Sequence, residues 1–191
     1  MPLTIHETPL AGLVKNATQQ VHEEVEAILL PALTSIQSTG DYAAILKMFY
    51  GYFHPIEKAI EQQLHTGLLP DLAERRKSSS LLEDLRRLGQ ATENLPLCAD
   101  LPPITDPAEA FGALYVLEGS TLGGKQIAKM LAKNGAVPEG TTQFFSGYGE
   151  QTGSRWKSFL EAFNRQTDSE AVTASANKTF YLLKGWMQHV L

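Results

Sequence analysis

The sequence predicts a single all-α domain spanning 1–191, and three observations predict it. Apolar residues recur at three- and four-residue steps through most of the chain. No segment alternates apolar and polar residues as a half-buried strand does. Capping residues, prolines and glycines fall at helix-length intervals, where helices start and stop. The 191 residues are 43% hydrophobic and 19% charged, which is enough for one buried core.

Thr8-Pro9 reads as an N-cap with proline in the first turn. Leu10, Leu13, Val14, Ala17, Val21, Val25 and Ile28 then line one face of a helix expected to end at Pro31. The second helix is expected from Asp41 and carries Ile45, Leu46, Phe49 and Phe53, with Pro55 as a kink or internal boundary. After Gly67-Leu68-Leu69-Pro70, residues 75–88 read as a helix stopped by Gly89. The stretch 90–103 holds three prolines and Cys98 and reads as a surface connection. Asp106-Pro107 repeats the cap and opens a helix to about Lys133. A short helix is expected over 152–164, around Trp156 and Phe159. Thr167-x-x-Glu170 reads as a capping box before a last helix over 171–191.

Composition excludes several classes. Sixteen Lys and Arg against 21 Asp and Glu give a net charge of −5, so no global basic field favours nucleic acid or anionic lipid. No apolar run approaches the roughly 20 residues that span a bilayer. The first ten residues lack the basic start and apolar middle of a signal peptide. Cys98 is the only cysteine, which excludes an internal disulfide or a cysteine-rich metal site. A cytoplasmic, reducing compartment is the expected location.

The helix after Asp106 contains Gly112, Gly119, Gly123 and Gly124. Each interior glycine costs about 0.8–1 kcal/mol relative to alanine. Gly119 lies about 20° from Gly112 on the helical wheel, and Gly123 about 40° from Gly119. One face is therefore bare backbone. Such a face admits the close approach of another helix, or of something flat. The doublet Gly123-Gly124 favours a bend. The polar neighbours Glu118, Ser120, Thr121 and Lys125 argue against a lipid-facing seam.

Of the five histidines, His22 has the most telling surroundings. Lys15 lies about 20° away two turns earlier, and Glu26 about 40° away one turn later. A metal-binding imidazole usually donates its other N–H to an acceptor, and Glu26 is placed for that. Lys15, roughly 10 Å along the axis, suits an acidic group at a ligand's rim. A lone helical histidine is otherwise an ordinary surface or core residue. Combined with a glycine-lined helix, it describes a slot for a planar metallo-macrocycle, ligated on one side and sterically low on the other.

The run Leu13-Val-Lys-Asn-Ala-Thr-Gln-Gln-Val-His22, with Glu26, resembles the proximal helix of heme oxygenases. Tyr115-Val-Leu-Glu-Gly-Ser-Thr-Leu-Gly-Gly124 is similar to their distal helix, above all in bacterial biliverdin-producing members, including those encoded beside bacteriophytochromes. Leu72-Ala-Glu-Arg-Arg-Lys and the closing Trp156, Phe180 and Trp186 helices also fit. The resemblance implies an all-α fold with heme, both cofactor and substrate, between the two helices. It implies cleavage to biliverdin, carbon monoxide and ferrous iron, using dioxygen and electrons from a ferredoxin or reductase. A biliverdin-accepting photoreceptor is a further implied partner. Carried over, His22 is the iron ligand, Glu26 its polar partner, and Lys15 faces a propionate. Gly119, Gly123 and Gly124 form the distal wall, and Arg155 or Lys157 supplies a second propionate cation. Ser120 stands where mammalian-type enzymes have an aspartate that organises water, so proton delivery is expected to use another network.

The chemistry suits these residues. A neutral imidazole does not drive O–O heterolysis as a cysteinate does, and a bare wall lets bound oxygen lean toward the ring edge. The rival readings are a non-catalytic heme carrier or sensor in the same slot and a helical interaction module without cofactor. A di-iron bundle needs Glu-x-x-His motifs, which are absent, and a thiaminase-like enzyme needs a buried nucleophilic cysteine, whereas Cys98, the one candidate, sits in the proline-rich connection.

Overall fold

The computed structural model describes residues 9–75 and 77–191. Thr8 and His6, and with them the proposed first cap, lie outside the described residues. Seven α-helices follow in chain order: α1 (Pro9–Thr34), α2 (Thr39–Gln63), α3 (Ser79–Arg87), α4 (Pro107–Leu131), α5 (Gln143–Ser146), α6 (Thr152–Phe163) and α7 (Ser169–Val190). Two single 3-10 turns, Leu72–Glu74 and Gly149–Gln151, complete the description. Among the described residues there is no strand, as the periodicity predicts.

Neither internal proline ends its helix. Pro31 leaves the Ala27 carbonyl without its usual N–H partner, but both residues are exposed and water can take that role, so α1 continues to Thr34. Pro55 strips the partner from the Gly51 carbonyl inside the core. The Cys98 N–H donates to that carbonyl instead, at 2.9 Å. This bond ties the connection 90–103 to α2 and explains why Cys98 is buried rather than on the surface.

Three starts differ from expectation. Ser38 caps α2 in a reciprocal box with Asp41, so the helix opens at Thr39. The third helix begins at Ser79, four residues late, because Arg75 is extended and committed to ion pairs. Ser78, just before it, gives its N–H to both oxygens of the buried Glu57 carboxylate. The last helix is capped by Asp168, whose carboxylate accepts from the Ala171 N–H, not by Thr167. A carboxylate also complements the helix N-terminus.

α2 lies at the centre, with Tyr42, Leu46, Tyr52, Phe53 and Ile56 fully buried. Its two buried tyrosines each donate to a distant carbonyl, Tyr42 to Thr141 at 2.7 Å and Tyr52 to Thr179 at 2.6 Å. Burial pushes both phenols up, and neither ionises in the folded state at ordinary pH. α7 packs along both α1 and α4, while α1 and α4 have no extensive contact with each other. The approach of α7 to α4 depends on Gly112: a Cβ there would sit 2.3 Å from the Val172 carbonyl oxygen.

The glycine doublet divides in function. A Cβ on Gly124 would lie 2.3 Å from the Phe145 carbonyl oxygen, whereas one on Gly123 meets nothing within 4 Å. Gly124→Ala is therefore expected to destabilise by about 1–3 kcal/mol through overpacking. Gly123→Ala should stabilise the helix by about 0.5–1 kcal/mol. Thermal unfolding of the ligand-free protein measures both, and shifts of the same sign would contradict this packing.

Candidate functional site

Ala11, His22, Leu29 and Leu33 share one flank of α1, within about 40° of one another on the wheel. Ala11, Leu29 and Leu33 are buried, but the His22 side chain is 50% exposed. That flank is thus covered at its two ends and at Thr18, and opens at His22. His22 touches α7 through Phe180, edge to face with centroids 5.3 Å apart. Its Nε2 lies 3.6 Å from Glu26 Oε1, an ion-pair distance too long for a hydrogen bond. Neither ring nitrogen is held in a hydrogen bond among the described residues. Lys15 is exposed on the same side of α1, two turns before His22.

The glycine face of α4 changes along its length. At Gly112 it is closed by α7. At Gly119 the only neighbour a Cβ would meet within 4 Å is the rim of Trp156, at 3.9 Å. At Gly123 nothing lies that close, and Gly123 is exposed. Gly124 turns about 100° away and is filled from behind by Phe145. Two of the three glycines expected to form a wall therefore present bare backbone to open space, and the third is a packing residue. The Ser120 hydroxyl donates to the Leu117 carbonyl of its own helix at 2.6 Å.

Behind this face lies a buried ionic network that sequence reading missed. Glu118 is 3% exposed and accepts from Arg75 Nη1 at 2.7 Å and from the Tyr148 hydroxyl at 2.8 Å. Arg75 Nη1 also donates to the Arg155 carbonyl at 3.0 Å, and its Nε and Nη2 fork onto Asp71. Arg155 pairs with Asp71 at 3.1 Å and with Glu74 at 2.7 Å, and stacks near Tyr148. Its guanidinium is thereby committed between two carboxylates, whereas Lys157 is exposed. A charge closing the apolar run 110–117, directly before Gly119, was the one available signal. Its partners stand 43 and 30 residues away, beyond any local pattern.

The network moves its members' titration. Burial works against the Arg75 cation, but Glu118 and Asp71 outweigh it and raise its pKa. Burial pushes the Asp71 carboxyl up, but hydrogen bonds and charge from Arg75 and Arg155 outweigh it, so its pKa falls below the ordinary 3.8.

The described residues form an all-α fold in which α7 packs against both the helix of a half-exposed histidine and the helix with a bare glycine face. Comparison with known proteins is specific. The heme oxygenase family model matches residues 8–189. A curated heme oxygenase from Xanthomonas campestris pv. campestris (strain 8004) is 31% identical over 135 residues, covering 71% of this chain and 79% of that protein. The structure of NO- and CO-bound heme oxygenase from Neisseria meningitidis superposes with a TM-score of 0.77 at 22% identity, covering 95% of this chain and 91% of that one. Heme oxygenase from Leptospira interrogans gives 0.76 at 22% identity, covering 95% and 100%. The chain belongs to the heme oxygenase family. It is a heme-degrading oxygenase, acting on heme with dioxygen and a reductant; the family's products are biliverdin, carbon monoxide and iron. No helix of the described residues is long and apolar enough to cross a membrane.

A carboxylate whose pKa is lowered on folding contributes stability that is present above its unfolded value and is lost as pH falls through the folded value. For Asp71 that window opens near 3.8 and extends downward. Asp71→Asn is therefore expected to lower the melting temperature near neutral pH and to flatten its decline in acid. Melting curves between about pH 6 and pH 2 test this; parallel acid limbs for both proteins would refute it.

Proposed function

We propose that heme binds between α1 and α4, where His22 would hold its iron and Gly119 and Gly123 would form the opposite wall. The carrying observation is the gap in α1's cover at His22, on a flank that is buried at both ends. The residues fit a flat metallo-macrocycle. Among the described residues the imidazole has no competing hydrogen bond, Phe180 supplies an apolar ring beside it, and the two glycines leave open space where any Cβ would intrude. When bound, the heme iron supplies the redox chemistry and dioxygen binding that end in oxidation of a meso carbon.

The chain's own residues hold and orient. His22 fixes the iron and, through its loose tie to Glu26, takes a defined ring orientation on ligation. Lys15 would meet a propionate at the rim and orient the ring, and so bias which meso carbon is oxidised. Arg155 stays within its ion-pair network, and Gly124 stays in its packing role. Gly119 and Gly123 would bring main chain rather than a side chain close to the oxygen-binding side. Ser120 supplies a hydroxyl beside Gly119 for a pocket water. Electrons enter from a donor such as a ferredoxin or a reductase. A cytoplasmic location and delivery of product to a biliverdin-binding photoreceptor complete this reading.

Hemin titration followed by reductant under air tests it. The Soret band of the complex is expected to give way to biliverdin absorption, whereas a carrier keeps its Soret band. His22→Ala should abolish the histidine-ligated spectrum, and an unaltered spectrum would move the ligand elsewhere. Gly119→Leu should leave hemin uptake largely intact and cut oxygen-dependent turnover by at least about tenfold. Undiminished turnover would reject the distal assignment.

A further inference from the structure

We propose that Glu118 is a positioning residue for the reaction: held by Arg75 and Tyr148, it sets the height of Gly119 and the place of Trp156 on the distal side. This inference rests on the distal assignment of Gly119 made above.

The back of α4 opposite the open glycines is supported at three consecutive points by one short segment, residues 144–148. Glu118 accepts the Tyr148 hydroxyl, and Gly147 lies against Thr121, where its Cβ would be 3.4 Å from the threonine Cβ. The Phe145 carbonyl fills the notch left by Gly124. The segment is itself anchored: the fully buried Asp84 carboxylate accepts from the Gln143 and Phe144 N–H groups, each at 3.0 Å. Gly147 and Gly149 both have positive φ, so the path of this strap is sharply defined by glycine.

Glu118 connects that support to the cleft. Its carboxylate points to the back of the helix while the next residue, Gly119, faces the front. Arg75 joins Glu118 to the Arg155 carbonyl, one residue before Trp156, whose ring is the neighbour a Gly119 Cβ would meet. A single guanidinium thus spans the helix that carries the wall and the helix that carries the wall's one aromatic neighbour. Both charges are almost fully buried, so the bond cannot lengthen without leaving a desolvated charge behind. A glycine-rich helix has no side chains of its own on the open face to resist displacement. Beyond the α7 contact at Gly112, its clearance is fixed from the opposite face, and an oriented oxygen ligand is sensitive to displacements well under 1 Å.

The test compares Glu118→Gln, Tyr148→Phe and, as a control, Gly119→Ala. Glutamine keeps the shape and removes the charge, and the tyrosine variant loses only a hydroxyl, so it carries the test if the first does not fold. Three readouts are taken on each: hemin affinity, the C–O stretching band of the ferrous carbon monoxide complex, and turnover to biliverdin. For the two network variants, hemin affinity should change less than about threefold while turnover falls at least about tenfold. Their C–O band should shift or broaden, as a changed distal clearance requires. Lowered melting with an unchanged band and unchanged turnover per bound heme would reduce the network to a purely structural role and overturn the proposal. If Gly119→Ala shifts the band and the network variants do not, only this inference fails. If Gly119→Ala leaves the band unmoved, the distal assignment itself fails.

Discussion

Taking two opposite charges out of water costs several kcal/mol per ion unless their geometry is good and their remaining donors and acceptors are satisfied. Glu118 and Arg75 meet that condition. Both carboxylate oxygens accept a hydrogen bond, and the guanidinium is shared among Glu118, Asp71 and the Arg155 carbonyl. The segment before α3, the middle of α4 and the start of α6 are joined there. Displacing any one of them strands a buried charge, so this junction acts as a rigid corner.

That rigidity matters because α4 combines two conflicting demands. Its front face must stay free of side chains at Gly119 and Gly123, and its backbone must still hold one position. Glycine satisfies the first demand and weakens the second, since each interior glycine lowers helix stability. The fold resolves the conflict by using the remaining glycines for contact. Gly112 lets α7 approach at the front, and Gly124 receives the Phe145 carbonyl at the back. Packing density around the open stretch replaces the helix propensity lost within it.

The same economy of partners appears at α2. Pro55 would leave an unsatisfied carbonyl in the centre of the protein, and the Cys98 N–H satisfies it. A proline-rich connection that reads as an external loop is in consequence part of the core boundary. The proposed heme cleft follows from what α7 does to its neighbours. It packs along α1 and α4 without bringing them together, so the flank bearing His22 stays open at that residue.

Sequence alone determined the helical class, the approximate helices, a glycine-lined α4 with Gly112, Gly119, Gly123 and Gly124, and the interest of His22 with Lys15 and Glu26. All of these rest on periodicity or on spacing within a single helix, where about 100° per residue fixes geometry without knowledge of the rest of the chain. The tertiary structure decided which glycines face space and which face backbone, because two neighbours on one helix differ only in what packs against them. It also decided that Arg155 answers to Asp71 and Glu74 rather than standing unpaired, and that Pro31 and Pro55 do not end their helices. The Glu118 junction belongs wholly to that second category: its partners are brought together only by folding, since no local pattern relates residues 75, 118 and 148.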